Sequence, residues 1–91
     1  MGLHQEFRFQ YSSPDDVRDF LRGLGKSANL QIVETGLFVF SQLPGGRAFT
    51  FDCAIIEQGL LSERSGQYFE FTGIFLEGLT GRFGKVEVED A

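Results

Sequence analysis

Residues 66–84, GQYFEFTGIFLEGLTGRFG, decide the fold, because the same stretch can be taken as a phenylalanine-rich strand or as a helix. As a strand it puts Phe69, Phe71 and Phe75 on one face. Gly73 and Glu77 interrupt that face, while Tyr68, Ile74 and Leu76 fall on the other, so the period of two fails halfway. As a helix, Tyr68, Phe71, Thr72, Phe75, Leu76, Leu79 and Phe83 form an unbroken stripe at three-four spacing, with Glu70 and Glu77 on the opposite side. The spacing therefore predicts a helix, with Ser65 as its cap, Gly81 as its stop and Gly73 and Gly78 off the stripe. Each of those two glycines costs about 1 kcal/mol relative to Ala.

Upstream, EFRFQY (residues 6–11) alternates Phe7, Phe9 and Tyr11 against Glu6, Arg8 and Gln10, the period of a half-buried strand. SSPDDVRDFLRGLG (12–25) carries a helix grammar: Ser13 as N-cap, Pro14 at the first helical position, Asp15 and Asp16 at the positive end of the dipole, and Gly25 as stop. Val17, Phe20, Leu21 and Leu24 are its apolar stripe. In LQIVETGLFVFSQLPGGRAFTFDCAII (30–56), Thr35-Gly36 and Pro44-Gly45-Gly46 divide three β-rich runs at hairpin spacing, predicting a three-stranded meander. EQGLLSERSG (57–66) reads as a loop with a helical turn, and KVEVED (85–90) as a short last strand with Val86 and Val88 inward. The expected order is β-α-β-β-β-α-β in a single domain of residues 1–91. Its class is α+β: a two-layer sandwich whose antiparallel five-stranded sheet carries two helices on one face, close to a ferredoxin-like plan with an extra strand.

Composition narrows the functional classes. With 42% hydrophobic and 23% charged residues, and no apolar run long enough to span a bilayer, the chain is expected to fold in water without a membrane partner. The opening MGLHQEFRFQY shows no basic segment followed by an apolar block, so no secretory signal is expected and the cytoplasm is the expected compartment. A net charge of −5 repels a phosphate backbone and attracts a basic partner. The single cysteine, Cys53, excludes an internal disulfide and any multi-thiolate metal site. It shares an alternation with Phe49, Phe51 and Ile55, the setting of a buried thiol.

The motifs that suggest chemistry fail on inspection. GLTGRFGK (78–85) spaces its glycines evenly and follows Lys85 with Val86, whereas a phosphate loop needs four residues between its glycines and Ser or Thr after the lysine. GGRAFTF (45–51) resembles an aromatic RNA-reading strand, but it is poor in basic residues and its alternation sends Phe49 and Phe51 to the core with Cys53. Carboxylates are plentiful (Asp52, Glu57, Glu70, Glu77, Glu87 and Glu89), yet none is placed in a cleft by the pattern. His4, the only histidine, falls near the chain start, where fraying is expected. No enzyme activity, cofactor, metal or nucleic-acid ligand is expected.

GLFVFSQL (36–43) is apolar on both alternations, Leu37 and Val39 on one side and Phe38 and Phe40 on the other. With both helices on one face of the sheet, one pair must be exposed on the other face. If Gly45-Gly46 is a two-residue hairpin loop, Phe40 pairs with Phe51 and Phe38 with Cys53, and Leu37 with Val39 forms the exposed patch beside Asp52; if Pro44 joins the loop, the faces exchange. The expected contact residues are Leu37, Val39 and Asp52, with Glu70 and Glu77 as a second acidic surface on the helix. The expected function is that of a non-enzymatic protein-binding domain, of the kind a small acidic inhibitor or immunity protein uses to neutralise a basic, toxin- or nuclease-like partner. The alternatives are a homodimer burying the same face and a small-molecule binder with its cavity between sheet and helices. Proline at Leu76, inside the predicted helix of residues 66–80, is expected to unfold the domain; circular dichroism showing a near-normal melting temperature would refute the helix.

Overall fold

The computed structural model describes residues 3–33 and 36–90. Its elements are β1 (Leu3–Arg8), α1 (Pro14–Leu24), β2 (Leu30–Ile32), β3 (Phe38–Gln42), β4 (Ala48–Ile56), β5 (Gly59–Gly66), α2 (Phe69–Phe83) and β6 (Glu87–Asp90). All pairings are antiparallel, in one sheet of order β2-β3-β4-β5-β1-β6. The fold is α+β, and its sheet has six strands where five were expected. β1 lies between β5 and β6, and β2 to β5 run as a four-stranded meander.

The sixth strand is β5, which the sequence pattern presents as a loop. Its inward positions are Leu60, Ser62 and Arg64, and its outward ones Leu61, Glu63 and Ser65. Burial alternates along it while hydropathy does not, so the period-two signal is lost. Ser62 and Arg64 are 2% and 5% exposed. The Arg64 guanidinium lies 5.0 Å from the ring centre of Tyr68, 5.5 Å from Phe51 and 5.8 Å from Phe7, and Nη1 donates to Thr72 Oγ1 at 3.3 Å. Burial lowers its pKa, and three aromatic faces take the place of a carboxylate. The β4–β5 turn requires glycine at position 59: φ is +146°, and a Cβ there would stand 2.0 Å from the Phe7 carbonyl oxygen.

α1 forms as expected. Ser13 Oγ accepts from the Asp15 amide at 3.1 Å, Pro14 opens the helix, and Val17, Phe20, Leu21 and Leu24 are all buried. α2 confirms the helical stripe, with Phe71, Phe75 and Leu79 fully buried and Glu70 and Glu77 exposed. Its ends differ from expectation. Ser65 belongs to β5, so Tyr68 stands at the N-cap without a side-chain hydrogen bond, and the helix runs through Gly81 to Phe83 before Gly84 (φ +84°) ends it. Gly78 is on the packed side, since a Cβ there would meet the Phe20 ring edge at 3.0 Å, whereas Gly73 faces open space. The last strand is shorter than KVEVED: Val86 packs against the core from outside it, and Val88, 47% exposed, is not covered. β1 starts three residues earlier than EFRFQY and ends at Arg8, which places His4 in a strand and not in a frayed end.

The helices cover the face formed by Phe7, Phe38, Phe40, Phe49, Phe51, Cys53 and Leu60. Phe71 sits 4.8 Å from Phe40, 5.2 Å from Phe49 and 5.0 Å from Phe51 between ring centres. Phe75 sits 5.2 Å from Phe7, 4.8 Å from Phe51 and 5.8 Å from Phe20. Among the described residues, no helix is long and apolar enough to cross a membrane.

The two helix glycines make opposite predictions. Gly73→Ala is expected to stabilise the fold by about 0.5–1 kcal/mol, the helix-propensity difference. Gly78→Ala gains the same propensity but pushes on the Phe20 ring, so no net gain is expected. Thermal unfolding of both variants checks the pair; a larger gain at position 78 than at 73 would contradict the α1–α2 packing.

Candidate functional site

The face of the sheet opposite the helices is assembled by register. Across one row lie Gln31, Val39, Asp52, Glu63 and His4, linked by the pairs Gln31↔Val39, Val39↔Asp52, Asp52↔Glu63 and His4↔Glu63. The next row holds Ala54, Leu61, Glu6 and Glu89, through Ala54↔Leu61, Glu6↔Leu61 and Glu6↔Glu89. Arg8 and Glu87 pair in the row beyond. Leu37, just before β3, continues the alternation of Val39 on this side, and both are half-buried.

The register expected of the PGG turn is found, by a different turn. Phe38 pairs with Cys53 and Phe40 with Phe51, which turns Val39 and Asp52 outward together. Yet Pro44 does belong to the loop: the Gly46 amide donates to the Leu43 carbonyl at 3.0 Å and Gly45 has φ +70°, a turn with Pro and Gly at its two corners. The faces do not exchange because the ladder slips by one residue between Phe40 and Gln42, a β-bulge that absorbs the odd residue. Thr35, half of the other expected turn, lies outside the described residues.

Charge divides this face. Among the described residues, Glu6, Asp52, Glu63, Glu87 and Glu89 stand against Arg8 and, at the rim, Lys85, an excess of three negative charges. Arg8 is already engaged, 3.0 Å from Glu6 and 2.9 Å from Glu89, and Lys85 lies 3.5 Å from Glu87. Among the described residues Glu63 has only His4, at 3.6 Å. Asp52 has no ion pair among the described residues and faces Glu63 directly across the ladder. Burial first, and Glu63 second, raise its pKa above the ordinary carboxylate value. Two carboxylates opposite each other beside Val39, Ala54 and Leu61 form an acidic pair on an apolar ledge.

The expected contact residues thus fall on two surfaces. Leu37, Val39 and Asp52 share the open face; Glu70 and Glu77 are exposed on α2, on the far side of the molecule, where Phe69 beside Glu70 is 75% exposed. Glu6, Leu61 and Glu63 complete the open face, and the sequence pattern missed the last two because it had no β5 to put them on. Between sheet and helices the described residues pack ring against ring. A hollow of about 460 Å³ lies instead at the rim, lined by Arg8, Phe9, Gln58, Phe83 and Lys85 among others. Among the described residues no three His, Cys, Asp or Glu side chains are grouped to hold a metal ion. Compared with known proteins, the chain matches no family model, no curated protein and no solved structure.

Asp52 gives a pH signature with a definite sign. A raised carboxyl pKa means that ionised Asp52 weakens the fold at neutral pH, and the penalty fades as pH falls through that raised value. Asp52→Asn is expected to raise the melting temperature at neutral pH by about a degree or two, with the difference from wild type vanishing in acid. A lower melting temperature at neutral pH would show that the carboxylate has a favourable partner in the fold.

Proposed function

We propose that this chain is a non-enzymatic protein-binding domain that captures a basic partner on the open face of its sheet. The observation that carries this reading is the unpaired Asp52, held against Glu63 on a ledge of apolar side chains. A lysine or arginine brought between the two carboxylates relieves their repulsion and neutralises a half-buried charge, while Leu37, Val39, Ala54 and Leu61 supply dry contact area around it. The surrounding acidic groups steer a cationic protein toward the face. A small acidic inhibitor or immunity protein that blocks a basic, nuclease-like toxin is the role this chemistry suits. A second copy of the chain is a poor occupant of the face, because the same excess of negative charge would oppose itself.

The test is capture from the source lysate with three baits: wild type, Leu37→Thr/Val39→Thr and Asp52→Arg. A basic protein retained by wild type, released by salt and lost from both variants, with their circular dichroism unchanged, is the expected result. An acidic partner, or a basic one held equally by all three, overturns the reading. Loss of folding in the Leu37→Thr/Val39→Thr variant would show that these side chains belong to the core.

A further inference from the structure

An open sheet has two edges, and here they differ. β6 presents Glu87, Glu89 and Asp90, all exposed, and a like-charged strand is repelled there. β2 and its flanks, Asn29–Val33, carry no charge, and Ile32 and Val33 are 47% and 37% exposed. The unpaired backbone groups of this edge can be identified. The Asn29 amide donates to the Gln42 carbonyl (2.8 Å), the Ser41 amide to the Asn29 carbonyl (3.1 Å) and the Val33 amide to the Leu37 carbonyl (2.8 Å), so residues 29 and 33 turn toward β3. Antiparallel ladders alternate, so Leu30 and Ile32 turn their N–H and C=O groups outward.

We propose that β2 pairs with β2 of a second copy, antiparallel about a twofold axis at Gln31, joining two sheets edge to edge. In this register Leu30 of each copy stands opposite Ile32 of the other, and the outward N–H and C=O groups of both residues are all satisfied. A slip of one residue opposes groups of the wrong parity. Leu30 and Ile32 lie on the helix-covered side, Leu30 beneath Gly25 at the end of α1, so the pairing carries the apolar layer across the seam and covers Ile32. The net charge of −5 on each chain opposes self-association, and this uncharged segment is where two copies can meet with least repulsion. The axis stands perpendicular to the sheet, which leaves both acidic open faces free and on the same side of the dimer.

Sedimentation equilibrium at roughly 100 µM, a concentration suited to a weak edge contact, is expected to give twice the 10.2 kDa chain mass. Added salt should strengthen the dimer by screening, the opposite of its effect on a basic partner. Ile32→Pro deletes an outward N–H while sparing the β3 ladder and is expected to yield a folded monomer. Gln31→Cys places two thiols across a non-hydrogen-bonded pair, with Cα atoms about 4.5 Å apart, so mild oxidation is expected to trap a disulfide-linked dimer. Buried Cys53 stays silent in that reaction. A wild-type monomer at this concentration overturns the proposal, as does a dimer whose Gln31→Cys form fails to cross-link. Should Ile32→Pro not fold, the Gln31→Cys result decides, because position 31 is exposed.

Discussion

The fold depends on two phenylalanines of α2. Phe71 and Phe75 each touch Phe51 in the central part of the sheet, and between them they reach β1, β3, β4 and α1. A chain this short has room for one core, and burying rings of this size against one another supplies much of what stabilises it. The other elements are arranged around that contact. α1 is drawn in through Phe20, which leans on Phe75 and Phe83 and has its ring edge 3.0 Å from where a Cβ at Gly78 would stand. Arg64 is tolerated in the interior because the same aromatic cluster offers its ring faces to the guanidinium.

What could be read from the chain follows from which residues face inward. α1 was legible in full because its cap, its first-turn acids and its apolar stripe all point to the same helix. α2 was legible in its middle and not at its ends, since Tyr68 caps it with backbone alone and Gly81 continues it. β5 was illegible: its inward Ser62 and Arg64 look solvent-facing, and the aromatic cage accounts for the burial of Arg64. The register of β3 on β4 was foreseen from a two-residue turn that does not exist, and the outcome agreed because a bulge cancels the extra loop residue. A compensation of that kind leaves no trace in a period-two pattern.

The same limits govern the candidate site. Leu37, Val39 and Asp52 could be placed from β3 and β4 alone, because doubly apolar alternation signals a strand with surplus hydrophobic surface. Glu63 and Leu61, which turn that surplus into an acidic pair on an apolar ledge, come from the unreadable strand. Facing carboxylates cost the isolated domain stability, a cost that the proposed cationic partner would offset. Glu70 and Glu77, equally acidic in the sequence, have no such setting on α2.

Cys53 sits at the centre of this construction, on β4 between Phe38 and Ser62, with no exposed surface, and burial holds its thiol protonated far above the usual range. The chain's one thiol is therefore a clock. No reagent reaches it while the central strand is paired on both sides, so under conditions where every opening leads to labelling, the rate at which it is modified measures how often the core comes apart.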